Sequence, residues 1–279
     1  MEQATACSFT LQRLESIRRH IGTSDVNRAT ADTLEALAPD PENKPRLVEW
    51  LRDGVTHDDG RFEIRSALRA VARAIRPRSY LEIGTRRGWS LAQVLCESPE
   101  VQAYSFDRWV EGYGGVDNPG PGFVRDEMER VAPKHRGSLQ FFSGNSHDVL
   151  PVFFQGVPLG DTELSEMELV RAGEAAPRMF DLVTVDGDHT ALGTWWDFTD
   201  ILPFVAVGGA IVIDDLLDTA DEVRGDQAES RYAAIRPSPS DLEPSILQVW
   251  QRLKAGLDGW EFVESFDSIV PIGIAVRMR

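Results

Sequence analysis

The sequence predicts an α/β protein: a doubly wound, mostly parallel, seven-stranded sheet that ends in an antiparallel hairpin and follows an N-terminal helical appendage. Three observations carry that expectation. Short apolar runs without polar alternation recur along the chain, as in strands buried on both faces of a sheet. Helical patterns separate most of them. The last two runs, 260–266 and 272–278, are only five residues apart, with Pro271 between them. No parallel crossover fits so short a connection, so these two must pair antiparallel.

Taken in order, residues 1–58 hold helical patterns and little that reads as strand. Phe9, Leu11, Leu14, Ile17 and Ile21 recur at helical spacing, as do Leu47, Trp50 and Leu51. Gly22-Thr23-Ser24 and Pro39-Asp40-Pro41 interrupt them as turns. This appendage is expected to pack on the main domain, 59–279, and to serve further as cover for a site or as a homo-oligomer contact. A helix with Ile64, Leu68, Val71 and Ala72 on one face leads into the strand Tyr80-Leu81-Glu82-Ile83. Further strands are expected at 101–106, 139–142, 180–185 and 210–213, with helices at 123–131 and 191–202, the latter taking Trp195 and Trp196 into the core. The segment 155–178 reads as an acidic insertion of low periodicity. An amphipathic helix with Ile246, Trp250, Leu253 and Leu257 precedes the hairpin.

The 279 residues suffice for one such domain with its appendage. No stretch approaches the roughly 18 uninterrupted apolar residues of a membrane span, and the first residues lack the basic start and apolar run of a secretory signal. Two cysteines, Cys7 and Cys96, are too few for a disulfide framework or a thiolate zinc site, so a reducing cytoplasm is the expected setting. The formal net charge of −16 repels phosphate backbones and anionic bilayers. The expected partner is therefore a small molecule, with neither nucleic acid nor membrane.

Ligands of open α/β sheets bind beyond the carboxyl ends of the strands. There the first strand runs into Glu82-Ile83-Gly84-Thr85-Arg86-Arg87-Gly88-Trp89-Ser90. Gly84 and Gly88 give the spacing G-x-x-x-G, not the dinucleotide G-x-G-x-x-G, which favours a ligand without a pyrophosphate. Asp107 ends the second strand 25 residues after Glu82 and can accept from ribose hydroxyls. Gly144-Asn145-Ser146 follows the third strand. Asp186 closes the fourth and Asp214-Asp215 the fifth, so three carboxylates can converge. Close anions repel unless they are protonated, spread apart or bound to a cation, and all-oxygen ligation suits Mg²⁺.

The stretches Glu82 to Ser90, Asp107, Gly144-Asn145-Ser146 and Val185-Asp186-Gly187-Asp188-His189 resemble the class I methyltransferases, Rossmann-like enzymes that use S-adenosylmethionine (SAM). The resemblance spans roughly 62–279 and includes the hairpin. It implies that Glu82 and Gly84 line the amino-acid end of SAM, within the loop that also carries Gly88 and Ser90. It further implies that Asp107 binds the ribose, that Asn145 or Ser146 lies near the adenine, and that Asp186 borders the cofactor. The offsets of 28 and 29 residues from Asp186 to Asp214 and Asp215 are similar to those of the metal-dependent small-molecule O-methyltransferases, of the catechol and natural-product types. That likeness implies Mg²⁺ on Asp186, Asp214 and Asp215, a hydroxylated acceptor, and a general base at His189 or Asp188. His189 is favoured because a histidine titrates near neutrality. Trp109 and Tyr113 are expected to wall the acceptor pocket, and 216–240 to close over it as a lid. A metal-free transferase and a SAM-fold binding protein without transfer are the alternatives.

Overall fold

The computed structural model describes residues 2–40, 44–110, 117–155, 164–217 and 245–279. Four helices come first: α1 (Glu2–His20), α2 (Ser24–Ala36), α3 (Lys44–His57) and α4 (Ile64–Ile75). Strands and helices then alternate through β1 (Ser79–Ile83), α5 (Trp89–Glu97), β2 (Gln102–Asp107), α6 (Pro121–Val131), β3 (Leu139–Ser143), α7 (Ser146–Gln155), α8 (Leu164–Ala175), β4 (Phe180–Val185), α9 (Ala191–Ile201) and β5 (Val205–Ile213). The chain ends with α10 (Ile246–Gly256), β6 (Trp260–Ser265) and β7 (Ile272–Arg277).

The seven strands lie in the order β3-β2-β1-β4-β5-β7-β6. β1 to β5 are parallel, and β7 runs antiparallel between β5 and β6. Alternation along each strand divides the core between the two faces. Tyr80, Leu182, Ala210, Val212 and Ile274 pack to one side with Leu14, Ile17, Leu34, Leu51 and Leu68 of α1 to α4. Leu81, Ile83, Val183, Val185, Ile211 and Ile213 pack to the other with Phe153, Phe198, Trp250 and Leu253. Both faces are covered, which is why the strands are rich in apolar residues without a regular polar alternation.

α4 shows how local chemistry sets the frame. Its N-cap Glu63 accepts from the Ser66 backbone while the Ser66 hydroxyl receives the Glu63 N–H, a reciprocal cap. Its other end stops at Arg76 in the left-handed conformation, φ 49°. Because α4 descends to the start of β1, its capped N-terminus stands at the ligand edge of the sheet.

The structure adds to the sequence reading at two places and corrects it at a third, Trp195. The insertion at 155–178 contains a helix, α8, whose Gly173 lies so close to α7 that a Cβ would stand 1.9 Å from the Phe153 carbonyl oxygen. Backbone contact of this kind needs few large apolar side chains, which accounts for the weak periodicity. Of the four apolar residues of α1 read at helical spacing, Leu14 and Ile17 are buried, whereas Phe9 and Leu11 are exposed. Trp195 is exposed at the surface of α9 rather than packed in the core. Among the described residues, no helix is long and apolar enough to cross a membrane.

Candidate active site

The parallel ladder continues one residue past each strand and so fixes the loops side by side. Gly84 N donates to Phe106 O at 2.9 Å, Gly144 N to Asp107 O at 3.0 Å, Asp186 N to Ile83 O at 2.9 Å and Asp214 N to Val185 O at 3.2 Å. Glu82, Asp107, Asn145, Asp186 and Asp215 are thereby set along one edge. Strain collects there too: Arg86, Trp109 and Asp215 have φ between 47° and 57° without being glycine.

Glu82 is fully buried at the foot of the first loop. Its Oε1 accepts from the Tyr80 hydroxyl at 3.0 Å and the Ser90 hydroxyl at 2.5 Å. Its Oε2 is buried with no hydrogen-bond partner among the described residues. Burial pushes this carboxyl up to about 7 against the pull of its hydroxyl donors. A buried carboxyl with an oxygen that no described residue reaches in a hydrogen bond fits the ammonium end of SAM. Ser90 acts on Glu82, not outward. Gly84, at φ 88°, is spaced by the protein itself: a Cβ would stand 1.8 Å from the Asp186 carbonyl oxygen. The glycine lets β1 and β4 close together, and Gly88 does the same against Val124.

Asp107 takes Arg86 N on Oδ2 at 2.7 Å, and Trp109 N and Asn118 Nδ2 on Oδ1 at 2.7 and 3.0 Å. A carboxylate has about four acceptor positions, so Oδ2 keeps capacity for a ribose hydroxyl. Asn145 Oδ1 receives His147 N, which leaves its amide group for an adenine edge. Ser146 is buried, and its hydroxyl bonds Asp197. Trp109 packs edge-on to Phe141 of β3 and has its indole N–H buried without a partner among the described residues. β2 lies two strands from β4, roughly 10 Å at the usual strand spacing, so Trp109 borders the Asp107 end of the edge. Tyr113 lies outside the described residues, as do residues 218–240 of the expected lid.

At β4 and β5 the structure gathers Asp186, His189 and Asp215, whose ligand atoms all lie within 4.8 Å of one another. His189 Nδ1 is 2.5 Å from Asp215 Oδ2, and its Nε2 is 3.9 Å from Asp186 Oδ1. Burial opposes the imidazolium, yet Asp215 and then Asp186 outweigh it and raise His189 to about 10. Burial likewise raises Asp186 to about 7, while His189 holds Asp215 below the usual range. Asp214 stands outside this group: it is buried, Oδ1 has no partner among the described residues, and burial beside two other carboxylates raises it well above normal. The sequence expectation placed Asp214 with Asp186 and Asp215; the side chain that joins those two is His189.

Asp188 is committed elsewhere. It accepts from Thr190 N at 3.0 Å and lies 3.3 Å from His147 Nε2, which together hold it ionised despite burial. Two other residues bear on the site without a motif to announce them. Arg65, at the capped end of α4, pairs with Glu63 at 2.9 Å and acts electrostatically on Asp186, Asp214 and Asp215. Asp197, fully buried within α9, faces His147.

Residues 81–216 match the family described as "Methyltransferase domain". Similar solved structures include the O-methyltransferase TomG of tomaymycin synthesis from Streptomyces achromogenes in complex with SAM, at 16% identity and TM-score 0.47, covering 75% of this chain and 77% of that one. An O-methyltransferase from Bacillus cereus with S-adenosylhomocysteine (SAH) gives 16% and 0.47 over 75% and 78%. The MycE methyltransferase of mycinamycin biosynthesis, in complex with Mg and SAH, gives 17% and 0.44 over 74% and 46%. No curated protein sequence matches the chain.

Proposed function

We propose a specific reaction for a chain whose residues 81–216 match a methyltransferase domain: SAM-dependent transfer of the methyl group to a hydroxyl of a small molecule, assisted by a divalent cation. The observation that carries this reading is the convergence of Asp186, His189 and Asp215 beside the Glu82 loop. SAM presents its methyl on a sulfonium, so the protein's task is alignment and removal of one proton. Glu82 Oε2 takes the ammonium, Asp107 the ribose hydroxyls and Asn145 the adenine edge. The acceptor then approaches over β4 and β5, where Asp186 and Asp215 would hold the cation. A divalent cation there would orient the acceptor hydroxyl and ease loss of its proton.

His189 is the base that the geometry favours, since Asp188 is already bound to His147 and Thr190. The pairing with Asp215 favours the imidazolium of His189, the form that has no free position to accept a proton. It becomes a base only when Asp215 is engaged otherwise, which links cation binding to base function.

The same ion pair supports a second reading, a metal-independent transferase, because His189 and Arg65 already offset part of the carboxylate charge. One experiment separates the two. The protein is incubated with SAM and a panel of hydroxylated small molecules, and products heavier by one methylene are sought by mass spectrometry. On the cation reading, chelator stops the transfer and Mg²⁺ or Mn²⁺ restores it. Full turnover in chelator selects the metal-independent reading, and SAH binding without any product from the panel counts against the acceptor class.

A further inference from the structure

His147 has no part in the reaction as described, yet it is one of the most enclosed ionisable side chains in the protein, 1% exposed. Its Nε2 lies 3.3 Å from Asp188 Oδ2 and its Nδ1 lies 3.3 Å from Asp197 Oδ1. Trp196 packs edge-on against the ring at 5.5 Å. Burial disfavours the imidazolium, but Asp188, Asp197 and Asp200 together outweigh it and raise the ring above its ordinary value.

What the ring joins is more informative than its burial. His147 belongs to the loop after β3, and its own N–H is held by Asn145 Oδ1. Asp188 belongs to the loop after β4, between Asp186 and His189. Asp197 holds that loop a second time, through Asp188 N at 3.4 Å, and Thr194 Oγ1 donates to Asp188 O at 3.0 Å. Gly193 leaves room for the arrangement, since a Cβ there would stand 2.0 Å from Asp188 Cγ.

We propose that His147 is a positioning residue that clamps the adenine loop to the loop bearing Asp186 and His189, so that the two ends of the cofactor are held at one fixed separation. The inference rests on the cofactor assignment above. It requires neither the cation nor the acceptor.

Two probes read the clamp. 5′-Methylthioadenosine carries only the adenosine half of the cofactor, whereas SAH reaches from the adenine loop to the Glu82 and Asp186 edge. Calorimetry on the full chain compares the wild type with His147→Phe, which fills the space without either polar contact. The expected result is a split: methylthioadenosine affinity stays within about threefold, while SAH affinity falls about tenfold or more, the scale of a lost charge-assisted hydrogen bond. His147→Gln, whose amide can reach Asp188, should recover much of the SAH loss. Equal losses for both probes, or an unchanged SAH affinity, overturn the clamp and leave His147 a packing residue. Should His147→Phe fail to fold, Asp188→Ala removes the partner of His147 Nε2 and carries the same comparison. If the wild type binds neither probe, the cofactor assignment falls and the clamp falls with it.

Discussion

Glu82→Gln should stabilise the ligand-free protein at alkaline pH and weaken its hold on the cofactor. Burial raises this carboxyl from 4.5 to about 7. A raised carboxyl favours the protonated folded state, so its ionisation costs nothing below pH 4.5, costs more as pH climbs, and reaches its full penalty above about 7. At about 1.36 kcal/mol per pH unit, the penalty grows by about 2–3 kcal/mol between pH 5 and pH 8. Glutamine keeps the shape and an acceptor for Tyr80 and Ser90 but does not ionise. Any fixed cost of the amide is the same at both pH values and cancels in the comparison. Chains near this size shift by about 2–4 °C for each kcal/mol, so the melting point of the variant relative to wild type should rise by about 5–10 °C from pH 5 to pH 8. Differential scanning calorimetry at the two pH values reads this directly. SAH affinity should meanwhile fall about tenfold to a hundredfold, because the ammonium loses a charged acceptor. A melting difference that does not change with pH would refute the buried-carboxylate reasoning, and undiminished SAH affinity would refute the role of Oε2.

The other expectations concern the β4–β5 end. His189→Ala should lower turnover on the order of 10²–10⁴-fold at saturating substrates, the range for a positioned base, while Asp188→Asn should show its larger effect on SAH affinity. Steady-state kinetics that reverse this pattern would exchange the two roles. Arg65→Gln removes a positive charge that acts on Asp186, Asp214 and Asp215, so Mn²⁺ should bind several-fold more tightly, as read by calorimetry. Equal or weaker Mn²⁺ binding would show that the three aspartates do not share one field.

Much of this architecture is legible in the residues because the physics behind it is local. Strands covered on both faces have no polar side, so β1, β4 and β5 stand out as apolar runs. A five-residue connection admits only an antiparallel pair, which fixes β6 and β7. α8 is not legible, because its seat on α7 depends on Gly173 and backbone proximity rather than on a stripe of apolar side chains.

The candidate site divides along the same line. Counting to the strand ends brings Asp186, Asp214 and Asp215 to one edge, but it does not say where each carboxylate points. Neighbours along an extended chain face opposite ways, so Asp214 and Asp215 can share a ligand only if the backbone turns between them. It does turn, at φ 57° for Asp215, and the turn delivers that side chain to His189 instead of aligning it with Asp214. A left-handed aspartate is affordable because its short polar side chain tolerates the conformation, but nothing in an Asp-Asp pair declares which member adopts it. Asp197 does leave a trace, as a carboxylate inside the apolar pattern Ala-Leu-Gly-Thr-Trp-Trp-Asp-Phe. Such a residue must find a buried partner. Finding His147, 50 positions earlier, requires the loops after β3 and β4 to be set side by side, and only the folded sheet does that.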